Sequence, residues 1–252
     1  MKTAYLNLRQ GVPERRVAWH AGLTRCGFNV VDVETADAIR PKREADVLVS
    51  WNRHVDGGRA ADRFEVAGCK VLITENATWG NGFMGGQWYT VCRGHHNVRG
   101  TFPIGDASRW DGLGADLAPF RRSIGRPVLL ASRGIGPIAH RQPFGWPAMA
   151  ARKYGARIRP HPGKYGTLEG LRMDLIDASS VITWGSGAAV LALIWGLRVQ
   201  SHLRNWIGEQ DNTEAGRLAM LRKLSWAQWR LDEISSGYAI DRLLGHSPTL
   251  GA

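Results

Sequence analysis

The sequence predicts an α/β protein built from two Rossmann-like halves and closed by a helical C-terminal tail. Residues 156–199 read as strand, helix, strand, helix, strand, the alternation that winds helices around a parallel sheet. The same alternation runs from Thr3 to Thr74, and 252 residues with 44% apolar side chains are enough to fill two modest cores.

Each element has its own signal. Thr3 to Leu8 is a short apolar strand, and Pro13 opens a helix to Cys26 whose apolar face (Val17, Ala18, Ala21, Leu23) is weakened by Gly22. Phe28 to Val33, Asp46 to Trp51 and Lys70 to Thr74 are further strands, with a helix at Arg59 to Ala67 between the last two. Glu75 to Gly82 is too rich in Gly and Asn for regular structure and reads as a loop. Gln87 to Cys92 is one more strand, followed by an irregular stretch to about Arg122. Arg121 to Pro127 (RRSIGRP) reads as a linker, after which Val128 to Ala131 restarts the alternation and a helix runs from Phe144 to Tyr154. Beyond Val199 three helical patterns follow, at Thr213 to Lys223, Ser225 to Ser235 and Tyr238 to Leu244. The expected boundaries are 1–122, 123–210 and 211–252, the last packing back on the core.

Composition narrows the function. With 33 Lys and Arg against 22 Asp and Glu the chain carries +11, a balance suited to nucleic acid or a phosphorylated substrate. No apolar run reaches the length of a membrane span, and the N-terminus lacks an apolar signal stretch, so a cytoplasmic protein is expected. Cys26, Cys69 and Cys92 have neither metal nor redox spacing and read as buried thiols; no metal site is expected.

Ligands of such sheets sit at the carboxyl ends of strands. Three clusters there suit an anion. Arg133, His140 and Arg141 occupy the loop after Val128 to Ala131, where Arg can grip phosphate oxygens in bidentate fashion. That loop spells G-x-G-x-x-A, but Pro137 and Pro143 oppose the helix this fingerprint opens. Arg159, His161 and Lys164 surround a His-Pro-Gly turn, in which His161 either contacts phosphate and protonates a leaving group or caps the turn. Gly185, Ser186 and Gly187 open a helix whose amides favour an anion, and Ser186 can also be its N-cap. Glu75 is the acid best placed to act as a base, with Asp106, Asp111 and Asp32 as competitors and His95 and His96 as alternatives or cleft-lining groups. Trp79, Trp88, Trp110 and Trp146 lie in or beside loops where flat rings can stack on a sugar or base, whereas Trp226 and Trp229, three apart on a helix, read as core.

The run HPG, a helix, then DASSVITWGSGAAVLALIWGLRV resembles the nucleotide-sugar half of two-Rossmann (GT-B) glycosyltransferases. It is most similar to the capsule polysaccharide, Kdo-transferase-like branch, as is the tail SWAQWRLDEISSGYAIDRLL. The resemblance implies a metal-independent transferase using a nucleotide-sugar, a UDP-sugar first and a CMP-sugar second, with residues 1–122 as acceptor half and 123–210 as donor half. His161 and Ser186 then meet the donor phosphate, and Glu75 or a neighbour is the base. Leu191 stands where many members of the wider class carry a carboxylate that grips the donor ribose. Charge and small size point to a large anionic acceptor, such as a hydroxymethylated base in phage DNA, flipped into the site by a virus-encoded enzyme in the host cytoplasm. A polysaccharide-type transferase, a sugar-nucleotide epimerase and a non-catalytic nucleic-acid-binding protein remain open alternatives.

Overall fold

Alternating apolar strands and helices in the first 76 residues build four strands of one sheet, and those from residue 128 to 201 build another. The computed structural model describes residues 2–8, 12–35, 38–53, 55–97, 100–122, 124–132 and 141–245, the side chains of Val55 and Lys164 excepted. The chain divides into two units: residues 1–77, 85–105 and 226–252 form the first, and 78–84 with 106–225 the second. These limits differ from the expected 1–122, 123–210 and 211–252. Residues 106–122 go with the second unit, and the expected tail is split, 226–252 going with the first.

In the first unit β1 (Lys2–Asn7), α1 (Pro13–Arg25), β2 (Phe28–Asp32), β3 (Val47–Trp51), α2 (Val55–Val66) and β4 (Lys70–Asn76) follow the predicted order. These strands are parallel, in the order β4-β3-β1-β2. β5 (Trp88–Arg93) then runs antiparallel beside β4. β4 extends two residues past its expected end, so Glu75 and Asn76 pair with Thr90 and Tyr89 as strand, where the sequence suggested loop.

The tail is helical only in part. Residues 225–235, expected as one helix, instead give a short turn, then β10 (Gln228–Arg230), which pairs antiparallel with β5, then α8 (Leu231–Ser235). Gln228 is fully buried and its Oε1 accepts a 2.9 Å bond from Thr90 Oγ1. Trp226 and Trp229 are buried as expected, but from a turn and a strand, beside Trp19, Leu23, Ile234 and, from α9 (Tyr238–Leu244), Ile240 and Leu243. Gly22 is the crossing point of α1 and α8: a Cβ there would sit 1.9 Å from the Ile234 carbonyl oxygen. What weakened the helix on sequence grounds is what lets the two helices touch.

The second unit contains α3 (Ser108–Asp111), β6 (Val128–Leu130), α4 (Trp146–Tyr154), β7 (Arg157–Arg159), α5 (Leu168–Leu175), β8 (Ser180–Thr183), α6 (Ala188–Ile194), β9 (Arg198–Ser201) and α7 (Glu214–Leu224). Its four strands are parallel in the order β7-β6-β8-β9. α4 covers one face through Trp146 and Ala150 on Leu129 and Ile182. The segment read as a linker is instead fastened along the amino edge of this sheet: Arg121 N donates to Gly196 O at 2.9 Å and Arg126 Nε to Gly155 O at 3.0 Å. Arg217, 1% exposed, donates to Ala118 O and Leu193 O at 2.8 Å each and ion-pairs with Glu214. Among the described residues no helix is long and apolar enough to cross a membrane.

Candidate anion site at the carboxyl edge of the second sheet

From β6 the chain passes through α4 to β7 on one side, then through α5 to β8 on the other. The loops after β6 and β8 therefore diverge, and ligands of open α/β sheets sit at such a divergence. The β8 loop is Trp184 to Gly187. Gly185 has φ +73°, and a Cβ there would lie 2.3 Å from Leu203 Cδ2, so the turn requires glycine. Ser186 N donates to Thr183 Oγ1 at 2.8 Å, which removes one of the expected amides from ligand duty. Ser186 is not the N-cap; Gly187 is, without a side-chain capping bond. The Gly187 and Ala188 amides take no acceptor among the described residues. Leu191 packs inside α6 at 7% exposure as an apolar anchor of the helix.

On the next strand but one, His161 follows β7 and is exposed, and its Nδ1 accepts a 2.9 Å bond from Gly163 N. The turn-capping role is thus real. It also fixes the tautomer in the neutral ring, leaving the proton on Nε2 as a donor. Arg141, exposed and without an ion pair among the described residues, closes the loop after β6, whose base is tied by Ser132 N to Gln142 Oε1 at 2.9 Å. The strands β7, β6 and β8, which lead to His161, to the loop tied back by Gln142 beside Arg141, and to the Gly185 turn, are three neighbours whose ends span about 10 Å. Arg133 and His140 lie outside the described residues, as does the Lys164 side chain. Arg159 departs from expectation: its Nε bonds Asp174 Oδ2 at 2.5 Å and its side chain is 13% exposed, so it is an ion-pair partner of α5.

The four tryptophans expected to stack on a ligand are all buried. Trp79 and Trp110 are 1% and 4% exposed with ring centroids 5.7 Å apart, and Phe83 stacks on Trp79 at 5.1 Å. Trp88 and Trp146 are each 3% exposed. Their apolar area was worth more in the two cores than in loops. Trp184, after β8, is half-buried against Trp146 at 5.3 Å and is an accessible aromatic at the carboxyl edge. Beside it His202, after β9, packs on Trp146 at 5.4 Å, and its Nε2 lies 3.2 Å from Tyr154 Oη, which accepts from Gln200 Nε2 at 3.1 Å. Burial first, then Lys153, push the His202 pKa down, which favours the neutral ring. Neither Trp184 nor His202 stood out in the sequence, since nothing there marks which face a strand-end side chain takes.

In the first unit Glu75 sits half-buried at the carboxyl edge of its sheet, its Oε1 accepting a 2.9 Å bond from Asn76 N. Its competitors are engaged elsewhere. Asp111 grips Arg222 through both oxygens at 2.9 and 3.0 Å, and Asp106 is held by Ser108, which keeps its carboxyl below the usual range. Asp32 bonds His20 Nε2 at 2.7 Å and ion-pairs with Arg16, making an exposed carboxylate-imidazole pair that the sequence gave no reason to join. His95 and His96 are displaced from the expected site. Because β5 is antiparallel, they follow Arg93, which pairs with Leu72, about 14 Å down the sheet from the Asn76 end. Their rings stack at 4.7 Å.

Burial pushes the His96 pKa down to about 4, against 6.5 for the ring in the unfolded chain. The neutral ring therefore stabilises the fold fully above pH 6.5, and that contribution is lost as the pH falls toward 4. His96→Gln is expected to flatten the pH dependence of the urea midpoint between pH 7 and pH 5, where one such group adds at most about 1.4 kcal/mol per pH unit. Equal slopes in both proteins would exclude this role.

No protein-family model and no curated protein sequence matches the chain. Among solved structures the chain is similar to ligand-free aspartate transcarbamoylase from Trypanosoma cruzi, at 14% identity over 90% of this chain and 82% of that one, with a TM-score of 0.27. A likeness at that score carries no argument.

Proposed function

We propose that the protein is a GT-B-type glycosyltransferase that moves a sugar from a nucleotide-sugar, a UDP-sugar in the first instance, to a hydroxyl of a large anionic acceptor, a hydroxymethylated base in phage DNA. The observation that supports the reading is that the His161 turn, the β6 loop tied back by Gln142 next to Arg141, and the Gly185-Ser186-Gly187 turn follow three adjacent strands, flanking the chain reversal between β6 and β8. His161 Nε2, Arg141 and the Gly187 and Ala188 amides are donors suited to a diphosphate, and Trp184 offers the nucleotide a flat apolar surface. As the sugar leaves, charge grows on the diphosphate, so these donors bind more strongly in the transition state than in the ground state.

A thermal-shift panel of UDP-, GDP-, CMP- and TDP-sugars, with and without duplex DNA, tests this. A ligand at a hundred times its Kd stabilises the fold by about 2.7 kcal/mol, and one nucleotide family is expected to do so. His161→Ala should lose that shift while keeping the unliganded Tm. Stabilisation by DNA alone, with no response to any nucleotide-sugar, would overturn the transferase reading.

A further inference from the structure

The formal charge is divided unevenly. Residues 78–84 and 106–225 hold 17 Lys and Arg against 9 Asp and Glu, a balance of +8, whereas the rest of the chain holds 16 against 13, or +3. The surplus thus belongs to the second unit, and within it a large share lies along the amino edge of the sheet, the edge opposite the candidate anion site.

The chain on either side of residue 123, residues 118–122 and 124–126, runs along that edge like a strap. Ala118 N donates to Ile194 O at 3.1 Å, the Arg121 guanidinium to Ile176 O at 3.0 Å, and Arg126 Nε to Gly155 O at 3.0 Å. It therefore passes the carboxyl ends of α6, α5 and α4 in turn and presents Arg121, Arg122 and Arg126. Arg152 adds to it from the last turn of α4, and Arg198 from the first residue of β9. Two acids of this edge, Asp174 and Asp177, are drawn to Arg157, and Glu214 bonds Phe120 N and pairs with Arg217. Arg122, Arg126 and Arg152 are exposed and make no ion pair among the described residues.

Cations at helix ends complement the helix dipole, and that explains single bonds from Arg121 and Arg126. A guanidinium has five donors, however, and the strap uses only part of them. From β7 to β9 the edge spans three strand spacings, about 14 Å, or roughly four base-pair steps of 3.4 Å. Arginine predominates, and its fork suits phosphodiester oxygens better than a lysine point charge. We infer that this edge is a docking track for the phosphate backbone of nucleic acid, separate from the anion site and independent of whether a sugar is transferred.

The test is fluorescence anisotropy of the full chain with a labelled 20-base-pair duplex across a NaCl series. The combined variant R122Q/R126Q/R152Q is expected to keep its fold by circular dichroism and to lower the magnitude of the log K against log salt slope by about 2.7, at about 0.9 per phosphate contact. R40Q/K42Q/R43Q, three cations removed from the first unit, should leave the slope unchanged. Absence of DNA binding in the parent protein, or an equal loss in both variants, would overturn the track. So would a loss confined to phosphatidylserine vesicles, which would assign the edge to a membrane surface. A retained nucleotide-sugar shift in R122Q/R126Q/R152Q separates this outcome from failure of the transferase reading.

Discussion

Glu75→Gln is expected to leave the nucleotide-sugar thermal shift unchanged and to reduce transfer by roughly 10²- to 10⁴-fold, the usual worth of a positioned general base. The substitution is well matched to the site. Glu75 Oε1 accepts the Asn76 amide at 2.9 Å, and a glutamine oxygen can take that bond over while losing the ability to accept a proton. Its backbone lies within the β4–β5 ladder, opposite Thr90, so the side chain's position is set by strand pairing and survives the change. Single-turnover transfer at saturating donor is the measurement. Normal turnover in Glu75→Gln would remove Glu75 from the mechanism and transfer attention to His20, whose ring Asp32 already orients at 2.7 Å.

Gly196→Val should be the most damaging single change in the second unit. Gly196 has φ +80°, and a Cβ there would sit 2.2 Å from Pro119 O and 3.2 Å from Ala118 O. A β-branched residue meets a backbone penalty of about 1–2 kcal/mol for left-handed φ and a further 1–3 kcal/mol for overpacking. It also pushes the strap off the end of α6, breaking the bond from Arg121 N to Gly196 O. A loss of about 2–5 kcal/mol in urea denaturation follows. A change below about 1 kcal/mol would show that the strap yields at little cost.

Gly196 also shows what could be read in advance. Its place at the end of the apolar run AAVLALIW is enough to mark a helix stop, because only the conformational freedom of glycine is needed to see that. Its second task, admitting the Pro119 carbonyl, depends on a contact across some 77 positions of chain and leaves no local trace. The same division runs through the rest. The parallel strands and their helices were legible from apolar runs and turn residues, and so were the His161 and Gly185 turns, each defined by neighbours in sequence. β10 was not, because SWAQWRLDEI carries a helical spacing of tryptophans and becomes strand only by pairing with β5. The stacking tryptophans were misassigned because a loop composition says nothing about whether the unit closes over its rings. Arg159 was misread because the acid that claims it, Asp174, arrives from α5.

The route of the chain has a consequence for its synthesis. The first sheet ends on β10, and the core behind it includes Trp226, Trp229, Ile234, Ile240 and Leu243. Five of the six strands of that sheet leave the ribosome well before these residues do. Domains that occupy one continuous stretch can fold as they emerge, amino-terminal first. Here the first unit cannot be finished until residue 244 is out, by which time all of residues 106–225 have been made. The nascent chain therefore carries an open β5 edge and an uncovered α1 while residues 94–225 are made, and a chain stopped before Trp226 would lose the first unit rather than the second.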